Sequence, residues 1–192
     1  MQTAWPKTWR WSAQEFDEAT GLGWFRGKRV ELIEGRIVRM PPQLEPHVVG
    51  LLLAQSAMRR IFATGFTIRP ACPIRLGKRS KPEPDIAVVL GDERDSLRSG
   101  APASPLLVIE ISDSTLAYDR GKKAALYARN RIEDYWIVNV ADVQVEIHRN
   151  PVRDPTHKHG YRYSSIQIHR PPDAISALAA PQARIPVAEL LP

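Results

Sequence analysis

The sequence contains a single cysteine, Cys72, and no long apolar run. One cysteine cannot form an internal disulfide, and it suits a reducing cytoplasm. No apolar run approaches the length of a membrane span, and the first residues lack the charged head and apolar stretch of a secretion signal. We therefore expect a cytoplasmic protein that makes no use of a membrane. At 192 residues the chain fits one domain, residues 1–192, with a core of about 12–170 and a Pro/Ala-rich tail at 171–192.

Several chemical motifs are also missing. The sequence has no glycine-rich phosphate loop, no paired cysteine set and no GxSxG nucleophile elbow. What it has in excess is positive charge, with 27 Lys and Arg against 21 Asp and Glu and a net charge of +6. This balance is compatible with an anionic partner such as nucleic acid, although many unrelated soluble proteins are equally basic.

Hydrophobic periodicity predicts alternating helices and strands. Ser12 and Glu15 form a capping box for a helix from Ala13 to Gly21, and Glu34-Gly35 joins two strands into a hairpin. Further helices are predicted at 47–64, 118–130 and, in the tail, 174–179; strands at 66–76 (an edge strand broken by prolines), 84–90, 105–112, 134–139, 144–148 and 161–169; and surface loops at 91–104 and 150–160.

Two of the apolar strands each contain one carboxylate, Asp85 and Glu110. A buried carboxylate is costly without a cation beside it. The helix that follows supplies a cation, because Asp119, Lys123 and Tyr127 are spaced four apart and share one face. An Asp, a Glu and a Lys converging at strand ends could hold a divalent metal ion and a water molecule.

These residues resemble the active-site signature of the PD-(D/E)XK nuclease superfamily. Most members place the Lys two residues after the Glu, where this chain has Ser112, but some branches take it from the next helix, as Lys123 would allow. The chain is more closely similar to the bacterial restriction endonuclease family called Uma-two. The similar elements, in order, are VELIEGRIVRM, PPQLEPH, PEPDIAVV, LLVIEISDST, DRGKKAALYA and EDYWIVN, which together span roughly residues 29–150.

The resemblance implies an α/β restriction-endonuclease-like fold, with a central mixed sheet flanked by helices and with an N-terminal helix and hairpin. It implies an endonuclease that hydrolyses phosphodiester bonds of nucleic acid, with DNA as the favoured substrate, and that acts as a homodimer. Mg²⁺ or Mn²⁺ would be held by Asp85, Glu110 and the carbonyl of Ile111. Lys123 would stand near the attacking water and counter the charge of the transition state.

Other residues are candidates for accessory roles. Besides Ser112, Asp119 and Tyr127, these are Glu31, which is as compatible with an exposed strand position, and His47, which is as compatible with a solvated or capping histidine. Phosphate contacts are expected from Lys78, Arg79, Lys81 and Lys122, although a basic run such as GKRSK is more often a solvated turn. Three tryptophans near the N-terminus could stack on bases, but packing of the first helix explains them better; they are Trp5, Trp9 and Trp11. An exposed loop explains His157 and His159 better than metal ligation does. Glu83 is a weaker ligand candidate than Asp85, because Pro82 and Pro84 place it in a connecting segment.

A different class of function competes with the nuclease. The same fold could serve as a catalytically silent binding or scaffold module, in which Asp85, Glu110 and Lys123 form a structural ion-pair network. Metal dependence separates the two, because only the nuclease should bind Mn²⁺ through both acids.

Overall fold

The structure is a computed structural model, and it describes residues 7–62, 64–102 and 104–192. The chain divides into two compact units. The smaller comprises the N-terminal segment up to Pro42 together with Arg75–Pro82, and the larger comprises Gln43–Ile74 and Glu83–Pro192. Within the described ranges, no helix is both long and apolar enough to cross a membrane.

The smaller unit contains the predicted helix and hairpin. Helix α1 is Ala13–Gly21, and its capping box is present: Glu15 N–H donates to Ser12 Oγ at 3.1 Å, and Ser12 N–H donates to Glu15 Oε2 at 2.7 Å. Strands β1 (Val30–Ile33) and β2 (Arg36–Arg39) pair antiparallel. Both turn residues have positive φ, 49° at Glu34 and 78° at Gly35, which is the backbone that a two-residue hairpin requires.

The segment Arg75–Pro82 is hydrogen-bonded into this smaller unit. Ala13 N–H donates to the Lys78 carbonyl at 2.8 Å, and Gly35 N–H donates to the Arg79 carbonyl at 2.6 Å. A small apolar cluster completes the unit; its members are Ala13, Phe16 and Leu32 with Trp11, Phe25, Val30 and Ile37 packed against them.

The larger unit is built on a six-stranded sheet in the order β3-β4-β5-β6-β7-β8. The strands are β3 (Phe66–Pro70), β4 (Ile86–Leu90), β5 (Leu107–Ser112), β6 (Asp134–Asn139), β7 (Gln144–Arg153) and β8 (Tyr161–His169). Among the strands of the described residues, only β5 and β6 pair in parallel, so the sheet is mixed, and β3 lies at an edge. The predicted α/β architecture is therefore confirmed.

A helical crossover joins the parallel pair, as parallel strands require. It consists of α4 (Leu116–Tyr118), a π-helical turn (Asp119–Lys123) and α5 (Ala124–Arg129). Helix α2 (Glu45–Ile61) packs against the opposite face of the sheet, where Ala54 and Met58 contact a core that includes Ile109 and Ile111. Because side chains alternate along a strand, Glu110 points away from that core and toward the crossover.

Several predicted elements differ from the structure. Helix α2 begins at Glu45 rather than His47, because proline is well accommodated in a first helical turn. The predicted loop 91–104 contains a short helix, α3 (Asp95–Ser99). The predicted strand 66–76 ends at Pro70. Strand β7 continues to Arg153, past the end of its pairing with β6 at Arg149, so Pro151 needs no donor on that side.

The C-terminal segment does not form the predicted helix at 174–179. Ala174–Ile175 (β9) pairs antiparallel with Ile185–Pro186 (β10), and a 3₁₀ turn, Val187–Leu190, follows. Ile175, Val187 and Leu190 are buried in the core beside α2. The short stretch between Pro172 and Pro181 is too brief to hold a helix by propensity, and burial of these apolar side chains decides its conformation.

Candidate active site

Strands β4 and β5 bring the two predicted acids opposite each other. Their antiparallel register pairs Ile86 with Ile109. Asp85 immediately precedes β4, and extending that register by one step places it opposite Glu110. Directly opposed residues have Cβ atoms roughly 4.5–5.5 Å apart. Both carboxylates are buried, and Asp85 Oδ2 accepts a hydrogen bond from the Ile111 N–H at 2.8 Å. The sheet therefore holds both acids on one face, at the same end of the neighbouring strands.

Lys123 supplies the cation. Its side chain is 2% exposed, and its Nζ lies 2.9 Å from Glu110 Oε1. The hydroxyl of Tyr127 donates to the same carboxylate oxygen at 2.6 Å. The structure thus brings Glu110, Lys123 and Tyr127 into one hydrogen-bonded group. A charge buried in this way is tolerated because its partner is close and hydrogen-bonded.

His47 and Gln43 converge on Asp85. His47 Nε2 lies 2.9 Å from Asp85 Oδ1 and donates to it in the tautomer that carries the proton on that nitrogen. Gln43 Nε2 lies 3.4 Å from the same oxygen and 2.8 Å from His47 Nε2. The His47 side chain is only 15% exposed and the N-cap of α2 is Leu44, so His47 is neither fully solvated nor the helix cap. Histidine therefore belongs to the group around Asp85.

Asp119 occupies a second layer behind these residues. Its Oδ2 accepts hydrogen bonds from Ser112 Oγ at 2.7 Å and Thr115 Oγ1 at 2.5 Å. Burial raises the pKa of Asp119, because desolvation outweighs the opposing effects of Lys123 and of the two hydroxyls. Through its bond to Asp119, Ser112 connects β5 to the π-helical turn.

A neighbouring polar group was missed by the sequence analysis. Glu146 on β7 is buried, and Arg120 binds its carboxylate through two nitrogens at 2.9 and 2.6 Å. Burial tends to raise the pKa of Glu146, but the His148 ring 3.6 Å away and hydrogen bonds from Arg120, Asn139 and Gln144 lower it well below its usual range. The only available signal was the alternation in QVEIH, which is equally typical of a strand with one exposed face.

Four of the remaining candidates belong to the smaller unit, whereas the group around Asp85 and Glu110 belongs to the larger one. They are Lys78, Arg79, Lys81 and Glu31. The ammonium of Lys81 pairs with Asp17, and Glu31 is buried, so an exposed strand position was the wrong alternative for it. Lys122 is half-buried in the π-helical turn, and Glu83 is half-buried ahead of Asp85.

The aromatic and histidine candidates have mixed outcomes. Trp11 packs against the apolar cluster of the smaller unit as expected, whereas Trp9 is largely exposed; Trp5 lies outside the described residues. His157 and His159 lie in the loop between β7 and β8. In the ranges that the structure describes, no group of three or more His, Cys, Asp or Glu side chains could hold a metal ion.

The donors at Asp85 and Glu110 nevertheless have the chemistry that suits Mg²⁺. This ion prefers oxygen, and in proteins it is usually bound by one or two carboxylates while keeping several waters. Two carboxylates and the Ile111 carbonyl form such a set. It contains fewer than three His, Cys, Asp or Glu ligands, but Mg²⁺ needs only one or two carboxylates. The residues therefore fit a Mg²⁺ or Mn²⁺ ion that retains part of its hydration shell.

Comparison with known proteins agrees with the fold. A solved structure of a putative nuclease belonging to DUF820, from Anabaena variabilis ATCC 29413, superposes with a TM-score of 0.63 at 17% identity, over 85% of this chain and 89% of that one. A segment of 70 residues is 41% identical to an uncharacterized protein, slr1290, of Synechocystis. That match spans 35% of this chain and only 36% of the relative. The Uma2 family model, "Putative restriction endonuclease", matches residues 13–188, and the chain therefore belongs to the Uma2 family.

Proposed function

We propose that the chain is a metal-dependent endonuclease that hydrolyses phosphodiester bonds, with DNA as its substrate. One observation carries the proposal: the buried Asp85 carboxylate is hydrogen-bonded to the backbone of Ile111, the residue after Glu110, and a buried lysine ammonium contacts Glu110 at 2.9 Å. Membership of a restriction endonuclease family and the fold shared with a putative nuclease support the same chemistry.

Asp85, Glu110 and the Ile111 carbonyl would hold the metal ion. Bound there, Mg²⁺ or Mn²⁺ would polarise the phosphoryl group and lower the pKa of a coordinated water. The hydrogen bond from the Ile111 N–H orients Asp85, and the Tyr127 hydroxyl orients Glu110. The protein thus fixes both carboxylates before any substrate arrives, which lowers the reorganisation needed during reaction.

Lys123 and His47 have separate tasks in this proposal. Lys123 stands beside Glu110 with its charge shielded from solvent, and a cation in such a site stabilises the negative charge that develops at phosphorus. His47 is hydrogen-bonded to Asp85 and partly accessible, so it can order a water molecule or take up a proton at Nε2. Lys122 and the turn cations Lys78 and Arg79 would contact backbone phosphates.

The proposal extends to assembly and location. The chain would act as a homodimer, since cyclic dimers are the commonest soluble oligomers. Light scattering of the protein at high micromolar concentration tests this, and a monomer there would contradict it. The cytoplasmic location remains a prediction based on the single cysteine.

The experiment that tests the activity is a cleavage screen with Mn²⁺ over single- and double-stranded DNA and RNA. Glu110→Ala should abolish cleavage and weaken Mn²⁺ binding measured by calorimetry. Glu146→Gln is the matched control, because it removes another buried carboxylate on the same sheet face while sparing the proposed ligands. A wild-type chain that binds no Mn²⁺ and cleaves none of the substrates would overturn the proposal.

One observation favours the second candidate, a scaffold module. Glu110 Oε1 already accepts hydrogen bonds from Lys123 and Tyr127, and Asp85 accepts them from His47 and Ile111. Such saturation is also what a structural ion-pair network requires. In that case Mn²⁺ would leave the thermal midpoint unchanged, whereas a ligand bound at 100 times its Kd stabilises the folded state by about 2.7 kcal/mol.

A further inference from the structure

The positive charge of the chain is concentrated in its smaller unit. The 50 residues of that unit carry eleven Lys and Arg and five Asp and Glu. The other 142 residues carry sixteen of each, so the whole net charge of +6 belongs to the smaller unit. A compact unit with this excess attracts polyanions, while the unit that contains the candidate active site is balanced.

The excess has a local centre in the turn that follows α1. This segment, residues 22–29 (LGWFRGKR), is named here the basic turn. Arg26, Lys28 and Arg29 are exposed in it, and the segment contains no acidic residue. In the part of the chain that the structure describes, none of these three side chains forms an ion pair, in contrast to Lys81, which pairs with Asp17. Their charge is therefore available to a partner.

The basic turn also displays an aromatic ring. Phe25 stacks on Phe16 of α1 with ring centroids 5.4 Å apart, which anchors the turn. Trp24 meets Trp11 edge to face at 6.1 Å and remains 61% exposed. The indole is therefore fixed at one side, while most of its surface lies open to solvent beside the three cations of the basic turn.

We propose that the basic turn binds single-stranded nucleic acid. Trp24 would stack on a base, and Arg26, Lys28 and Arg29 would contact the backbone phosphates on either side of it. Stacking aromatics combined with cations are the means by which proteins bind single strands without sequence preference. The bases of an intact duplex are stacked on one another, so the indole selects unpaired nucleotides. The inference rests on the proposed nuclease function and names the substrate class that its smaller unit would recruit.

Fluorescence anisotropy of a labelled oligothymidylate, with the full chain in a buffer containing EDTA, tests the inference. Chelation prevents cleavage, so binding is measured independently of the candidate metal site. Trp24→Ala should weaken binding about 5- to 150-fold, the range found for loss of one base–aromatic stack, and Trp24→Phe should weaken it less. Arg26→Ala and Lys28→Ala should each flatten the plot of log affinity against log salt by about 0.7.

The controls separate binding from folding. Leu97→Ala and Arg98→Ala remove an exposed apolar and an exposed cationic side chain from the larger unit, and neither should change the affinity. The double variant Arg26→Glu/Lys28→Glu leaves the aromatic contacts intact, so a loss of binding there cannot result from unpacking of Trp24. Thermal midpoints of all variants confirm that they are folded.

Three outcomes would overturn the inference. The first is unchanged affinity in both Trp24→Ala and the charge-reversed variant. The second is a Trp24→Ala variant whose affinity for a blunt duplex falls as much as its affinity for oligothymidylate. The turn would then contact phosphates without selecting single strands. The third is a wild-type homodimer that Trp24→Ala dissociates, since the surface would then hold a second copy of the chain. If cleavage depends on Glu110 but Trp24→Ala binds oligothymidylate normally, this inference alone is refuted. If binding depends on Trp24 but the chain cleaves no substrate, only the nuclease proposal is refuted.

Discussion

Replacing Lys123 and Lys122 separately tests the site most directly, because the two lysines are adjacent but differently placed. Lys123 is 2% exposed and contacts Glu110, whereas Lys122 is half-buried. Removing one partner of a buried ion pair costs about 3–5 kcal/mol, since the other charge remains buried without compensation. For a chain of 192 residues, 1 kcal/mol shifts the thermal midpoint by about 2–4 °C. Lys123→Ala should therefore lower the midpoint by roughly 6–20 °C, and Lys122→Ala by about 4 °C at most.

Activity should separate the two variants further. At a temperature where both are folded, Lys123→Ala should reduce Mn²⁺-dependent cleavage about 100-fold or more, because a cation that stabilises the transition state is lost. Its Mn²⁺ affinity by calorimetry should stay close to that of the wild type. Lys122→Ala should only weaken nucleic-acid binding, and by less at high salt. Lys123→Met keeps the apolar length of the side chain, so it distinguishes loss of charge from loss of packing.

The opposite pattern would refute the reasoning. If Lys122→Ala abolished cleavage while Lys123→Ala retained it, the buried lysine would be structural and its neighbour catalytic. If Lys123→Met were fully stable and fully active, the ion pair with Glu110 would have neither role.

Three further changes have definite expected results. Glu146→Gln should make the free energy of unfolding less dependent on pH in acid, as measured by urea titrations from pH 7 to 3. The pKa of Glu146 is lower in the folded than in the unfolded state, so the wild type has this stabilisation above about pH 4.5 and loses it as the pH falls. Equal pH slopes for the variant and the wild type would contradict this. Gly50→Ala should destabilise the protein by about 1–3 kcal/mol, although alanine is the better helix former, because the new Cβ would lie 2.9 Å from Ile111 Cγ2. Gly21→Ala is the control, because a Cβ there meets nothing within 4 Å. A Gly50→Ala variant more stable than the wild type would show that the helix can shift. Tyr127→Phe removes one hydrogen bond to Glu110 and should lower the stability by about 1–3 kcal/mol and also lower the cleavage rate. An unchanged rate and stability would mean that the Tyr127 hydroxyl does not orient the Glu110 carboxylate.

The central sheet could be predicted because its strands are short apolar runs rich in branched residues, bounded by turn signals. The parallel pairing of β5 and β6 agrees with the helical segment between them, because a crossover of that length returns the chain in parallel. The Ala174–Ala179 stretch misled for the converse reason: its alanines favour a helix, but contacts distant in sequence decide its conformation.

The two acids were predicted because a charge inside an apolar run is anomalous, and Lys123 because it shares a helical face with Asp119 and Tyr127. Their partners were harder to find. His47 and Gln43 reach Asp85 from about 40 residues away, and no local pattern reports a contact at that separation. The π-helical turn at Asp119–Lys123 was also invisible, because a periodicity of 3.6 residues cannot reveal a single widened turn. Such turns are frequent at functional sites, which agrees with its position between Asp119 and Lys123.

The balance of buried charge bears on the choice between nuclease and scaffold. Among the buried residues that the structure describes, the larger unit has five carboxylates. Two of them, Asp134 and Glu146, bind arginines that reach in from the surface. The other three are Asp85, Glu110 and Asp119, and Lys123 is the one buried lysine or arginine among the described residues. Lys123 contacts Glu110 and acts electrostatically on Asp119, whereas Asp85 contacts His47. The raised pKa of Asp119 reflects the cost of burying it. A divalent cation at Asp85 and Glu110 would offset this excess negative charge, whereas a purely structural network would more economically contain a neutral side chain in place of one acid. The excess therefore favours the nuclease.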